Sequence, residues 1–291
     1  MANKGEKELV SVIIPTFNRA HVLGRALDSV LAQDYGLLEI LVVDDGSSDA
    51  TPALLAGYGD QIRVLAQANK GVSSARNHGI RESRGALIAL LDSDDAWTPD
   101  KITRQAAFFS GNPGALICQT EEIWIRNGKR VNPKIKHKKP SGMIFEPSLK
   151  LCLVSPSAVM MRRELFDLKG MFNEDFPVCE DYDLWLRVSA DTPVYLIDTP
   201  CTVKYGGHED QLSASHSQDK YRIEAMLNLI REKTLSPEQE AAAARVLRKK
   251  CRVYGNGCIK RGRQEEGRTY LDLAAEFDDG KGDASQALSE V

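Results

Sequence analysis

Over the first third of the chain, short runs of apolar, β-branched residues alternate with longer stretches of helical spacing, the mark of βαβ units and a mostly parallel sheet. Leu9–Pro15, Glu39–Val43, Ile62–Ala66 and Ala86–Leu91 read as strands, with helices at Ala20–Gln33, Asp49–Ala56 and Val72–Ser83 between them. The strand runs lack polar alternation, which fits strands covered on both faces, and ligands in such open sheets bind beyond the carboxyl ends. A helix over Pro99–Ser110 and a strand over Ala115–Ile125 follow. The chain then turns at Asn127-Gly128 into a basic stretch, Lys129–Lys139, that reads as a loop. Ser157–Met161 and Val194–Ile197 read as strands around a helix at Cys179–Ala190. From Gln218 to Phe277 the pattern is helical, three or four helices, with Ser236-Pro237-Glu238 a good start signal because Ser caps and Pro suits the first turn. The tail after Asp278 is polar and reads as frayed.

These elements predict an α/β fold: a mostly parallel, Rossmann-like sheet flanked by helices, with a C-terminal helical appendage. The expected division is a nucleotide-binding and catalytic domain over 1–215 and a helical region over 216–291, in line with the 291-residue length. A net charge of −3, with both signs mixed along the chain, gives no argument for a nucleic-acid partner. The six cysteines show no CxxC pair and no zinc spacing, so reduced, mostly buried thiols are expected. The polar start, Met1–Glu8, and the lack of an apolar run of bilayer length predict a cytoplasmic protein, with peripheral contact at the inner face of the plasma membrane as the further option.

The candidate chemistry lies where two strands end, at Asp44-Asp45-Gly46-Ser47 and Asp92-Ser93-Asp94-Asp95. Asp is a poor strand residue, and crowded carboxylates repel unless a cation or hydrogen-bond donors offset them. Hard oxygen ligands of this kind suit Mg²⁺ or Mn²⁺, which complete their shells with water and substrate phosphates. The structural alternative is that both clusters are turns and helix caps, a reading strongest for Ser47, Ser48 and Asp49.

The residues resemble those of family 2 of the inverting glycosyltransferases, whose nucleotide-binding fold is called GT-A. The likeness runs from about Val10 to Ser215. It comprises Val12-Ile13-Ile14-Pro15-Thr16-Phe17-Asn18-Arg19, the run VVDDGSSD, Asn69-Lys70-Gly71 with Ala75-Arg76-Asn77 and Gly79, the run LDSDD, and Glu180-Asp181. Each motif alone is weak; five in this order are specific. The resemblance implies a nucleotide-diphosphate sugar donor, by family frequency a UDP-sugar, and a carbohydrate or lipid-linked acceptor, in surface polysaccharide or glycolipid synthesis. Pro15, Thr16 and Asp44 would line the base and ribose pocket, with Asp45 behind and Arg76 reaching toward the nucleotide; Asn18, Asn69 and Ser93 complete the donor set. Asp92 and Asp94 match the DxD motif, Asp94 as principal ligand of a divalent metal (Mn²⁺ or Mg²⁺) and Asp92 near the ribose, with Asp95 added. Such a metal neutralises charge on the leaving diphosphate. Displacement also needs a base, and the match places it at Asp181, with Glu180 orienting acceptor or base; a helix start would favour these carboxylates in any case. His208, in a late loop, is a further metal candidate, preceded by Lys204 where the family often has an arginine.

Three further features invite a role. The basic stretch reads as a solvated loop or as a site for an acceptor phosphate or an anionic membrane. Trp97, Trp124 and Trp185 are core or interface residues in the commoner case, or could stack on a sugar, with Trp97 the first to test. The C-terminal helices could pair two subunits into a homo-oligomer or recognise the acceptor. The rival enzyme is a sugar nucleotidyltransferase, which needs the same carboxylates, although no glycine-rich phosphate loop follows the first strand. GxGxxG and GxxxxGK[ST] are both absent, against a dehydrogenase or a P-loop nucleotidase. A non-catalytic nucleotide-sugar-binding scaffold is the alternative of another class.

Overall fold

A computed structural model of the chain describes residues 7–132, 137–207 and 218–277. The first half builds a parallel sheet from β1 (Val10–Thr16), β2 (Leu38–Asp44), β3 (Arg63–Ala66) and β4 (Leu87–Leu90), in the order β3-β2-β1-β4. Helices α1 (Ala20–Leu31), α2 (Thr51–Ala56) and α3 (Val72–Glu82) make the crossovers. The second half is mixed. After β5 (Ala96–Trp97) and α4 (Lys101–Gly111) come β6 (Ile117–Arg126), β7 (Lys129–Val131), α5 (Phe145–Lys150), β8 (Val159–Arg162), α6 (Glu164–Lys169), α7 (Glu180–Ser189) and β9 (Tyr195–Gly206). They extend the sheet as β4-β8-β6-β9-β5, with β7 beside β6. Only β6 with β9 is parallel there.

The unbroken apolar strands have the expected cause. On β1, Val10, Val12 and Ile14 enter one core with α1 and α4, whereas Ile13 enters a second core with α3, α6 and α7. Period-two alternation of side chains across a sheet covered on both sides requires apolar residues at every position. The third core joins Phe145, Leu149, Tyr182 and Leu186 of α5 and α7 to α8 (Gln218–Arg231), α9 (Pro237–Lys260) and α10 (Gln264–Glu276). The expected helix start is present: Ser236 Oγ accepts from the Gln239 amide and the Gln239 side chain returns the bond, a capping box. Among the described residues no helix is long and apolar enough to cross a membrane.

Three local expectations are corrected. Lys129–Val131 is a strand, because Asn127 and Gly128, at φ 49° and 73°, make a tight hairpin that returns it onto β6. The strand expected at Val194–Ile197 runs on to Gly206, since the ladder shifts register where Pro200 meets Glu121 and so tolerates a residue without an N–H. Short helices α5 and α6 occupy stretches where the pattern assigned nothing.

Gly79 sits where α3 crosses β1 and β2. A methyl group there would lie 2.5 Å from Ile13 Cγ2 and 3.1 Å from Val43 Cγ2. Gly79→Ala is therefore expected to lower stability by about 1–3 kcal/mol, the usual effect of overpacking, in urea unfolding; an unchanged midpoint would contradict this account of the helix approach.

Candidate functional site

Parallel pairing aligns Thr16 with Asp44 and Ile13 with Leu90, so β1, β2 and β4 end on one edge of the sheet. The two acidic clusters therefore flank Pro15-Thr16, and the edge opens into a cavity of about 680 Å³. Of the residues singled out in the sequence, Pro15, Thr16, Asp45, Asn69, Arg76, Asp92, Ser93, Asp94, Glu180 and Asp181 line it. Asp44 and Asn18 are set back from this wall and brace the loop behind it. Asp44 Oδ1 accepts the Ser47 N–H at 2.9 Å, and Asn18 Oδ1 accepts those of Ser48 and Asp49 at 2.8 and 3.2 Å. Asp45 also has local work: its carboxylate takes the Lys70 and Gly71 amides at 2.9 and 2.8 Å and the Gln67 side chain at 2.7 Å. This draws the Asn69-Lys70-Gly71 loop against the pocket and starts α3 beneath it.

Arg76, on α3 and 3% exposed, joins the two sides of the site. Nη2 donates to Asp92 Oδ1 at 2.7 Å and Nη1 to Glu180 Oε1 at 2.5 Å. Burial works against its charge, but the two carboxylates outweigh this and hold the guanidinium protonated. Asp92, whose amide is held by Ser157 Oγ at 3.1 Å, is kept below the usual carboxylate range: burial opposes ionisation, while Arg76 and Lys204 favour it. Glu180 moves the other way, up to about 7, because burial outweighs Arg76 and Asp181 adds repulsion. Cys179 before it is left-handed at φ 64°, a conformation that costs a non-glycine residue about 1–2 kcal/mol. Three acids, Glu180, Asp181 and Asp183, occupy the first turn of α7, where the helix dipole favours them.

Asp92 to Asp95 form a turn closed by the Asp95 N–H on the Asp92 carbonyl at 3.1 Å. Asp95 is 2% exposed and pushed up to about 7 by burial and by Asp92 and Asp94, against the pull of Lys204. Lys204 Nζ stands 3.9 Å from Asp95 Oδ2 and donates to Ser155 Oγ at 3.1 Å, and its pKa rises, despite burial, in the field of Asp95, Glu122, Asp92 and Asp94. Arg25 bonds the Asp94 carbonyl at 3.0 Å and lies 3.6 Å over the Tyr205 ring, which ties the turn to the end of β9. Thr16 Oγ1, Arg76 Nε and Asp95 Oδ2 are buried without a hydrogen-bond partner among the described residues. Buried polar atoms of this kind normally have partners, so their place at a cavity wall points to a polar ligand.

The opposite wall was less legible. Lys139, expected in a solvated loop, is buried: Nζ donates at 3.0 Å both to Glu122 Oε1 and to the Thr120 carbonyl. Trp124 donates to Glu122 Oε2 at 2.8 Å, packs on His137 and lines the cavity. Trp97 is instead a core residue, bonded to the Ser157 carbonyl at 2.7 Å, and Trp185 is buried in the second core. Glu122, one of two adjacent acids within a strand, where Glu is disfavoured, was a readable signal; nothing in the pattern marked Cys152 or Arg222. Cys152 Sγ lies 3.5 Å from Asp181 Oδ2, while Asp181 Oδ1 accepts the Tyr182 amide at 2.7 Å. All six cysteines are unbridged. Lys134, Lys136 and His208 lie outside the described residues, among which no three His, Cys, Asp or Glu side chains form a metal-binding group.

A family model described as glycosyl transferase family 2 matches residues 11–168. An uncharacterized glycosyltransferase of Rickettsia bellii is 30% identical over 241 residues, 79% of this chain and 34% of the relative; the chain thus spans about a third of that relative's length. The Escherichia coli UDP-Glc:alpha-D-GlcNAc-diphosphoundecaprenol beta-1,3-glucosyltransferase WfgD is 33% identical over 192 residues, 65% of this chain and 73% of the relative. Among solved structures, Staphylococcus aureus TarS 1–349 in complex with UDP-GlcNAc superposes with a TM-score of 0.72 at 20% identity, over 92% of this chain and 80% of that one. The GT-A expectation for the fold is met.

The buried Glu122–Lys139 pair makes a pH prediction. Glu122 is held down at about 2, against 4.5 when free: burial opposes its charge, but Lys139, Lys204 and Trp124 outweigh it. A depressed carboxylate adds stability that is present above pH 4.5 and is lost as pH falls toward 2. At roughly 1.4 kcal/mol per unit, Glu122→Gln should flatten this acid limb by an amount of order 3 kcal/mol. Denaturant midpoints measured across that interval check it, and parallel curves for the two proteins would refute it.

Proposed function

The chain belongs to glycosyl transferase family 2, and on that premise we propose that it moves a sugar from a UDP-sugar to an acceptor hydroxyl with inversion at the anomeric carbon. The observation that carries the reading is a single cavity in which the strand-end carboxylates Asp92 and Asp94 share a wall with Asp181, linked through Arg76 and Glu180. In this reading Pro15, Thr16 and Asn69 hold base and ribose, with the unpartnered Thr16 Oγ1 as one contact; Asp44, Asp45 and Asn18 fix the loops that shape the pocket. Residues 1–215 form the catalytic unit and 216–291 the helical region.

The residues fit a divalent cation. Asp94 lines the cavity beside Asp92, both are hard oxygen donors, and a Mg²⁺ or Mn²⁺ ion needs only one or two carboxylates when phosphate and water complete its shell. Asp94 would be the principal ligand, Asp92 the second, with His208, outside the described residues, as a further donor. Bound there, the ion would offset charge on the leaving diphosphate. Lys204, protonated beside Asp95, adds fixed positive charge on the same side of the cavity. Asp181 accepts the proton of the acceptor hydroxyl. The Tyr182 amide fixes its Oδ1, which leaves Oδ2, beside Cys152, to face the acceptor. Glu180, near neutral, orients that side of the cavity through Arg76. One base suffices for a single inverting displacement.

A UDP donor is supported by the UDP-Glc in the name of the E. coli relative and the UDP-GlcNAc bound to the S. aureus neighbour. The acceptor of WfgD, a diphosphoundecaprenol-linked sugar, supports a lipid-linked acceptor here, in surface polysaccharide or glycolipid synthesis at the cytoplasmic face of a membrane.

The first test is a thermal-shift screen of nucleoside diphosphates and their sugars with and without Mn²⁺, since a ligand of the native state raises its apparent stability. A metal-dependent shift with a uridine nucleotide is expected, and Asp94→Ala should abolish its metal-dependent part; equal nucleotide affinity with and without Mn²⁺ in the parent chain would refute the assignment. Asp181→Asn should keep donor binding and lose roughly 10²- to 10⁴-fold in turnover, the usual contribution of a general base. Loss of donor binding in that variant would assign Asp181 a structural role instead.

A further inference from the structure

The chain as a whole is acidic, net −3, yet the segment from Arg245 to Arg263 holds eight Lys or Arg and no Asp or Glu. It forms the second half of α9 and the turn after it. The spacing of Arg245, Lys249, Arg252, Asn256 and Lys260 follows the helical repeat, so these residues share one face, and all five are exposed. The opposite side, Leu247, Cys251, Tyr254 and Cys258, is buried in the third core. Val253, 61% exposed, borders the basic face. From Arg245 to Lys260 the stripe extends roughly 22 Å, at 1.5 Å per residue.

Solvated helix faces usually interleave charges of both signs, which pair at i,i+4, whereas like charges at that spacing repel. Helix α10 next to it does interleave them, with Glu265, Arg268, Asp272 and Glu276. From Arg245 on, α9 carries no acid of its own, although Lys250 pairs with Asp219 and Arg263 with Glu266, and this segment adjoins the site: Lys250 Nζ lies 3.5 Å from Asp219 Oδ1, in the first turn of α8, whose Gln218 and Arg222 line the cavity.

We propose that this basic face of α9 docks on the anionic surface of a lipid bilayer. Charge complementarity carries the inference: each cation near such a surface adds attraction within a Debye length, and a clustered stripe overcomes the repulsion of an acidic chain. With one exposed aliphatic side chain on the face, the contact is electrostatic adsorption rather than insertion. Docking by this helix holds the cavity beside the headgroups, where a lipid-linked acceptor arrives. That purpose rests on the acceptor reading given above; adsorption itself does not, and acceptor-free vesicles test it separately.

The experiment sediments the full chain with phosphatidylcholine vesicles containing about a third phosphatidylglycerol, and with phosphatidylcholine alone, in about 0.1 M salt. Expected is binding at least roughly ten-fold tighter to the anionic vesicles, weakening as salt rises. Arg245→Glu/Lys249→Glu/Lys260→Glu should remove that preference with an unchanged melting temperature, and the milder Gln triple should reduce it, which covers misfolding of the first. Lys129→Glu/Arg130→Glu on the β6–β7 hairpin should leave it intact. Equal binding to both vesicles, no binding to either, full binding by the folded triple variants, or loss only in the hairpin variant overturns the proposal. So does tighter binding, at the same salt, to a single-stranded RNA oligonucleotide than to anionic vesicles.

Discussion

The guanidinium of Arg76 is the joint on which the site depends. It is buried, held between Asp92 at the end of the central strand and Glu180 at the start of α7, and it bridges these two acidic side chains into a connected unit. A buried ion pair is a weak device for stability by itself, because desolvation offsets most of the attraction, but removing one partner leaves a charge stranded. The trio therefore specifies geometry: α3, the Asp92 turn and α7 keep one arrangement or lose their charge balance. Phe172 under the guanidinium, 5.1 Å from it, keeps water from that side.

Around this joint the same residue type serves four ends, and environment makes the difference. Asp45 is consumed by backbone amides and shapes a loop. Asp92 stays ionised because Arg76 and Lys204 face it. Asp95, deeper in and crowded by its neighbours, is driven toward neutrality. Asp94, in the same turn, faces the cavity. Crowded carboxylates with well-separated proton affinities are what a site needs if one group is to hold a cation while another does not compete for it. Lys204 supplies the counter-charge that lets the cluster persist among apolar strands.

The parallel half of the sheet and the placement of its acidic clusters were legible because both obey local rules: a strand covered on both faces must be apolar throughout, and carboxylates at its end need a cause. Arg76 was readable as part of a motif, though its pairing with Glu180, 104 residues on, was not, since nothing local records a contact between α3 and α7. The mixed half resisted for physical reasons. A strand that tolerates Pro200 does so only because a register shift in its partner removes the need for an N–H, and that shift is a property of the pair. Lys139 looked like one more cation in a basic loop; its burial follows from Glu122 across the hairpin. Of the tryptophans, Trp97 went to the core and Trp124 to the cavity, a division that sequence does not record because it does not reveal which face of a strand meets the cavity.

The helical region is joined to this chemistry through α7. Its first turn carries Glu180 and Asp181, one of its sides, with Leu184, Trp185 and Val188, belongs to the core under the sheet, and the other, with Tyr182 and Leu186, belongs to the core shared with α8 to α10. Tyr182 follows Asp181 directly, presents the amide that fixes that carboxylate, and anchors its own hydroxyl on the Leu149 carbonyl at 2.7 Å. Arg222 of α8 lies 5.8 Å over the same ring and reaches the cavity wall. The C-terminal helices thus set the back of α7 while Arg76 sets its front. The position of Asp181 is decided between two cores, which is why a segment outside the family match, 11–168, still shapes the site.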